Sequence, residues 1–434
     1  MNASLTTRAV ALTTLAVAAL LAMPAVADPP LMQLPARMHE PVAESIRIRV
    51  GHADVAGKAG DYDFIGRDNR VLQAAVDLAA TFDTGSARPV VEIGPGRFEM
   101  RDSLHLRTGV EVRGVPSKTI LAPRRAVMSR LALDGDYGEE QITLEATEGF
   151  EVGGGVLVES DNVRYFHGTV ARIIGRSGKT FVLDQPLRAD CMVNKNARAS
   201  TVFPVVSGCD VERARVEGLV IDGGGADGLP IDGCRGAGIY LLRAHGTTIA
   251  HCEIRNFPGD GVSYQQSNDV SVLDTVAVGN AGHGFHPGSG SQRTVMARCR
   301  AEKNRVDGMF ICWRVKQGKF EDNLFIGNVR NGISIGHKDT DNVIAGNKVQ
   351  RNGAEGILFR DELPAMAANR NRVIDNTVED NGEAGIRVRG VTSGNEIRDN
   401  TVRDTRTGAD RRQTTDIVVE PSAVGNVVEG NTNE

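Results

Sequence analysis

Along the second half of the chain, apolar residues recur in short alternating runs such as Ile333-Ser334-Ile335 and Ile386-Arg387-Val388. A period of two predicts strands rather than helices. Each run opens on a glycine, at Gly238, Gly261, Gly284, Gly308, Gly332, Gly356 and Gly385, in steps of 23, 23, 24, 24, 24 and 29 residues. An asparagine stands four residues before each of the last five, at Asn280, Asn304, Asn328, Asn352 and Asn381. Nine residues before the glycines from Gly261 onward runs a second column, Cys252, Thr275, Cys299, Asn323, Asn347 and Asn376. This period suits a stacked solenoid unit, and the leucine consensus of a leucine-rich repeat is absent. Stacked coils make parallel sheets with strands about 4.8 Å apart. Asparagines placed in left-handed bends at one phase predict an amide ladder tying coil to coil. The predicted fold is all-β, a single-stranded right-handed parallel β-helix.

Residues 68–80, DNRVLQAAVDLAA, read as a helix capped by Asp68 that closes the N-terminal end of the core. The stretch VVEIGPGRFEMRDSLHLRTGVEVRG, residues 90–114, reads as the first coils. From about 128 to 198 the glycine and asparagine phase vanishes and strands such as Gly155-Val156-Leu157-Val158 predict a small inserted β subdomain. The organisation expected is a leader at 1–27, an extension at 28–67, helix and first coils at 68–127, the insert at 128–198 and regular repeats at 199–434. The leader rests on Arg8, the apolar run Ala9 to Met23 and the small residues Ala25-Val26-Ala27, and it predicts export to the periplasm or beyond. No later run is long and apolar enough for a membrane span.

Composition narrows this further. With 50 Lys and Arg against 55 Asp and Glu, the chain has no basic excess for nucleic acid. Aromatics make up 4%, so a core of small and β-branched residues is expected. Six cysteines are too sparse for a disulfide scaffold. Cys252 and Cys299 share a phase two coils apart, roughly 9.6 Å, which is beyond disulfide reach. A bond from Cys209 to Cys191 or Cys234 stays open.

In each strand the residues one and three after the glycine point inward, so those two and four after it point out. The outward columns run Tyr240, Ser263, His286, Phe310, Ser334, Leu358, Arg387 and Leu242, Gln265, Gly288, Cys312, Gly336, Arg360, Arg389. Trp313, His337 and Asp361, then Arg314, Lys338 and Glu362, follow the strands. Histidines, the single tryptophan and paired charges thus gather on one sheet, as a carbohydrate groove requires. The candidate catalytic residues are His286, His337, His283, Asp260 and Asp307. His283 lies one coil from both Asp260 and Asp307, either of which would orient its imidazole. Trp313, Arg314, Lys316, Lys338, Arg360, Asp361 and Gln265 are the candidate substrate-binding residues, the cations neutralising a uronate carboxylate while a histidine takes its neighbouring proton. The loop from Asp361 to Arg370, which carries the excess of the 29-residue step, is expected to bound the groove. His286, Cys312 and His337 would form a zinc or copper trio, against the bland reading of a small exposed thiol. Asp339 and Asp341 form a candidate calcium site, the one cofactor suggested.

These repeats resemble the pectin-lyase-like superfamily, which implies a bias toward acidic polysaccharides. Gly282-His283-Gly284 followed by Arg314-Val315-Lys316 is similar to elements of polygalacturonases; of that family's catalytic carboxylates only Asp260, in Gly259-Asp260-Gly261, has a counterpart. Compared with the periplasmic mannuronan C5-epimerases, His286-Pro287-Gly288-Ser289 matches the strand signature only at Pro287. The leading expectation is a monomeric exported lyase or C5-epimerase acting on a uronate-containing polysaccharide. A polygalacturonase-like hydrolase and a non-catalytic periplasmic accessory or polysaccharide-binding protein are the alternatives.

Overall fold

Three strands per coil, repeated in register, build the molecule. The computed structural model describes residues 45–433 apart from positions 56, 58, 59, 84 and 86, so the expected leader lies outside the described residues. One coil runs Arg215–Glu217, Val220–Asp222 and Ala237–Leu242, and the next Thr248–Ala250, Glu253–Arg255 and Asp260–Gln265. Each strand pairs in parallel with its equivalent one coil on, giving a 13-stranded first sheet and 10-stranded second and third sheets among the described residues. The phase read from the glycines is kept throughout: Val262, Phe285, Met309, Ile333, Ile357 and Ile386 are successive partners in the third sheet. The fold is a right-handed parallel β-helix. One core of stacked aliphatic and phenylalanine side chains runs through it, from Ile48 to Ala423.

The glycine and asparagine columns explain each other. A Cβ on Gly308 would lie 2.7 Å from the carbonyl oxygen of Gly332 and 2.8 Å from Asn328 Nδ2, and Gly284, Gly332 and Gly356 meet the same two atoms of the next coil. Only glycine leaves room for the amide that follows. Asn304 Nδ2 then donates to Asn328 Oδ1 at 2.9 Å, and Asn328 Nδ2 to Asn352 Oδ1 at 2.9 Å. The second column behaves likewise from Asn323 through Asn347 and Asn376 to Asn400. A third ladder, Asn342, Asn371, Asn395 and Asn426, lies outside both predicted columns. One expectation is corrected: the left-handed residue is the one before the ladder asparagine, Lys303 at φ 53°, Gly327 at 65° and Arg351 at 55°. That bend turns the following side chain inward, where its amide reaches both neighbouring coils.

The helix Asn69–Ala80 begins at Asp68, whose carboxylate accepts the Arg70 amide, and buries Leu72, Ala75, Val76 and Ala79 on the end of the core. Strands Arg47–His52 and Phe64–Gly66 join the first sheet beside it. Between Met128 and Ser200 a six-stranded sheet with antiparallel pairing forms around its own core, including Leu131, Phe150 and Phe181. All six cysteines are free thiols; Cys252 and Cys299 are buried in the β-helix core, and the open pairing of Cys209 is not made.

Candidate functional site on the third sheet

The outer face of the third sheet is only partly open to solvent. Tyr240, Ser263, Gln265 and His286 point away from the core as expected, yet all four are buried, with Gln265 at 0% and His286 at 5% exposure. The segment before Ala237 folds over them. Ser263 Oγ donates to the Gly233 carbonyl at 2.7 Å, and the Gly233 backbone lies against Asp260 and His286 so closely that a Cβ there would collide with both. The expectation that His286 and Gln265 are surface positions is therefore wrong. Alternation places a side chain on a face, but it does not reveal a distant segment that covers the face.

Beneath this cover the histidines are held by carboxylates: of the two open to it, His283 takes Asp307, and Asp260 goes to His286. Asp260 Oδ2 lies 2.7 Å from His286 Nδ1, while its Oδ1 accepts the backbone amide of His283 at 2.8 Å. His283 Nδ1 instead faces Asp307, 3.3 Å from its amide nitrogen and 3.5 Å from Oδ2. Burial alone would raise the Asp260 carboxyl, but the charges of His283 and His286 and the bonds to them hold it below its usual value. Burial is likewise outweighed at Asp307 by His283 and Asn331. With Asp260 accepting from Nδ1–H, the Nε2 of His286 keeps a lone pair, the tautomer a proton acceptor needs.

Phe310 and Arg360 connect this dyad to the open part of the face. His283 stacks on the Phe310 ring at 4.4 Å, His286 meets its edge at 5.3 Å, and the Arg360 guanidinium lies 4.4 Å from its centroid. Arg360 also donates to Ser334 Oγ and the Ile311 carbonyl, both at 2.8 Å, and faces His337 Nδ1 at 3.3 Å. Glu362 Oε1 is 3.2 Å from His337 Nε2 and 3.3 Å from Arg360 Nε. Trp313 stacks on His337 at 5.2 Å and remains 44% exposed. Arg314, Lys338 and Asp361 lie exposed at the strand ends, and Lys316 is partly buried beside them. Among the described residues none of those three cations forms an ion pair within 4.0 Å, although Lys316 is near enough to Asp341 to hold that carboxyl lower. Lys338 donates its amide to the Met366 carbonyl, so the 361–370 loop does border this region.

The turn is strained where these groups sit. Trp313, Arg314, His337 and Lys338 occupy φ of 77°, 64°, 46° and 65°, while the equivalent turn one coil earlier uses Gly290. Bulky residues in the left-handed region cost about 1–2 kcal/mol each. Left-handed non-glycine bends recur along the coils, Lys303 and Arg351 among them, so the strain belongs to the coil; what this turn adds is an exposed indole beside cations.

Metal geometry is sparse. Cys312 Sγ lies 3.1 Å from His337 Nδ1, but His286 Nδ1 is taken by Asp260. Asp339 accepts the amides of Val315 and Gly336 and lies 3.8 Å from Arg360, and Asp341 is clamped by Arg370 at 2.8 Å. Among the described residues no group of three or more His, Cys, Asp or Glu is placed to hold a metal ion.

Burial pushes the Asp339 carboxyl up to about 7, with Arg360 and the two amides opposing that rise. The unfolded chain releases this proton near 3.9. Between those values the native state binds the extra proton, so this group's stability contribution is full below about pH 4 and is lost as pH rises toward 7. Melting curves from pH 4 to 8 are expected to show a steeper decline in the wild type than in Asp339→Asn. Equal slopes would remove Asp339 as the cause.

The profile of the family described as periplasmic copper-binding protein (NosD) matches residues 217–433, half of the chain. The chain belongs to this family. No curated protein matches the sequence. Among solved structures it is similar to the Dettilon tailspike protein, at 13% identity and a TM-score of 0.55, covering 83% of this chain and 58% of the tailspike. It is also similar to the A-module of the Azotobacter vinelandii mannuronan C-5 epimerase AlgE4, at 14% identity and a TM-score of 0.50, covering 88% and 100%. The Streptococcus pneumoniae surface protein and adhesin PfbA matches at 13% identity and a TM-score of 0.53, covering 88% and 96%. At these identities the likenesses establish the β-helix fold. Among the described residues no helix of this family member is long and apolar enough to cross a membrane.

The site differs from its sequence reading in two respects. Glu362, which fixes both His337 and Arg360, was passed over as one charge in a strand-end column. The Gly233 cover gave no periodic signal at all.

Proposed function

We infer that the chain is an exported, carbohydrate-active β-helix protein that binds an acidic polysaccharide along the third sheet. It acts there by removing the proton at C5 of a uronate, the step shared by β-elimination and C5 epimerisation. The observation that carries this reading is the continuous seam from the Asp260–His286 dyad through Phe310 and Arg360 to the exposed Trp313. An indole stacks on a sugar face, and Arg314, Lys316 and Lys338 neutralise a uronate carboxylate, which acidifies the adjacent C–H. His286, oriented by Asp260, receives the proton. Loss of the C4 leaving group then gives an unsaturated end, and return of a proton to the opposite face gives the epimer. The residues at 1–27 supply the export signal, in keeping with a family described as periplasmic. Asp260 and Asp307 are buried and bonded to histidines rather than facing each other across an open groove, so a hydrolase reading has less support.

The test is incubation of the exported chain with alginate, polymannuronate and polygalacturonate in deuterated water. Deuterium at C5, or ultraviolet absorbance from a C4–C5 double bond, is expected on at least one of them. New reducing ends without either would point to hydrolysis.

Copper handling is the second reading, favoured by the family description and by the Cys312–His337 pair. These are soft and borderline donors suited to Cu(I), but the Arg360 guanidinium 3.3 Å from the same imidazole nitrogen opposes a cation, and two donors fall short of a resident centre. Stoichiometric Cu(I) retention abolished by Cys312→Ser, with no turnover on any acidic glycan, would replace the polysaccharide reading.

A further inference from the structure

Where the inserted sheet meets the first coils, the structure encloses a cavity of about 320 Å³, bordered by Ser207, Tyr240 and Leu242 on the β-helix side and Val170 and Gln185 on the other. It lies on the same sheet face as the His286 seam, several strands upstream. Five arginines and three aspartates line it. Arg243 is paired with Asp210, Arg172 with Asp184 at 3.4 Å, and Arg107 with Asp77 at 2.7 Å from outside the cavity. Asp102 is held by His105 at 2.9 Å. Arg188 and Arg235 remain: among the described residues neither forms an ion pair within 4.0 Å, although Arg188 is near enough to Asp210 to hold that carboxyl lower.

Arg235 is the decisive group. Only 7% exposed, it is pinned by two donations to the Phe166 carbonyl and packs on the Phe166 ring at 5.6 Å. Burial lowers its proton affinity, and the neighbouring Arg188 pushes the same way. A buried guanidinium with a second one nearby is costly to keep charged unless an anion joins them. Among the described residues no carboxylate lies within ion-pair distance of Arg235, whose donations go to the neutral Phe166 carbonyl. The cavity exceeds what an inorganic ion fills and combines apolar and hydrogen-bonding walls, as a pyranose requires.

We propose that this cavity binds a carboxylated sugar, its carboxylate held between Arg188 and Arg235. The site does not depend on the groove chemistry, and the two can be separated. Calorimetric titration of the exported chain with galacturonate is expected to show saturable binding, with little for glucose. Arg188→Ala, at an exposed position that folding does not need, should weaken it roughly 10- to 100-fold, the loss of one charge-assisted contact. Trp313→Ala, which removes the stacking surface of the groove, should leave that binding intact. Three results overturn the proposal: no saturable binding, binding undiminished in Arg188→Ala, or binding lost only in Trp313→Ala. Inorganic sulfate binding without galacturonate binding would overturn the sugar assignment.

Discussion

Asn328→Ala is expected to lower the unfolding free energy by about 4 kcal/mol, as four buried polar groups, the two Asn304 amides, the Ala301 carbonyl and Asn352 Oδ1, lose a partner at about 1 kcal/mol or more each. Asn328 Oδ1 accepts from the backbone amide and the side-chain amide of Asn304 at 3.1 and 2.9 Å, and its Nδ2 donates to the Ala301 carbonyl at 3.2 Å. With Asn328 at 1% exposure, water cannot replace these bonds. Each coil of a solenoid contacts only its neighbours, so a break here weakens the two interfaces the ladder crosses. Val329→Ser, at a 61% exposed neighbouring position, is the control and should shift stability by less than about 0.5 kcal/mol. Chemical denaturation midpoints measure both. A loss below about 1 kcal/mol at Asn328 would mean that the ladder follows the coil geometry without stabilising it.

What was legible before the structure was whatever the coil repeats. The glycines are forced by the approaching amide of the next coil, so they recur at its period, and the asparagines recur because each needs the next to complete its bonds. Asp68 was readable because an N-cap is local. Trp313 was placed correctly at the end of a strand on the exposed face. Burial of His286 and Gln265 was not readable, because the cover comes from residues around 231–236, a segment outside the repeat phase. Which carboxylate serves which histidine was open for a different reason: one coil of separation leaves Asp260 in reach of both His283 and His286, and only side-chain direction decides. The arginine cavity was invisible for a stronger reason. Its walls come from segments near 102–107, 170–188 and 204–243, which no period links.

His286→Ala is expected to reduce turnover on the responsive glycan by roughly 10²- to 10⁴-fold, the usual contribution of a positioned proton acceptor. Asp260→Asn tests how that histidine is set. An amide NH2 in place of the carboxylate would donate to Nδ1, drive the proton to Nε2 and remove the lone pair that faces substrate. Its loss should fall on kcat with KM nearly unchanged, and the acid-side limb of the pH–rate profile, where the accepting imidazole must lose its proton, should flatten, which a purely structural defect would not produce. Because both residues are buried, at 5% and 4% exposure, His286→Gln serves as a better-packed companion whose melting temperature reports on folding. If His286→Gln folds like the wild type and is still inactive, the loss is chemical. If the histidine variants stay active while Asp260→Asn alone is dead and the wild type releases reducing ends, the carboxylate itself does the chemistry and the protein is a hydrolase. Full activity in every one of them would leave this dyad as a buried brace, and proton transfer would have to pass to His283 or His337, the other imidazoles beside the seam that a carboxylate holds in place.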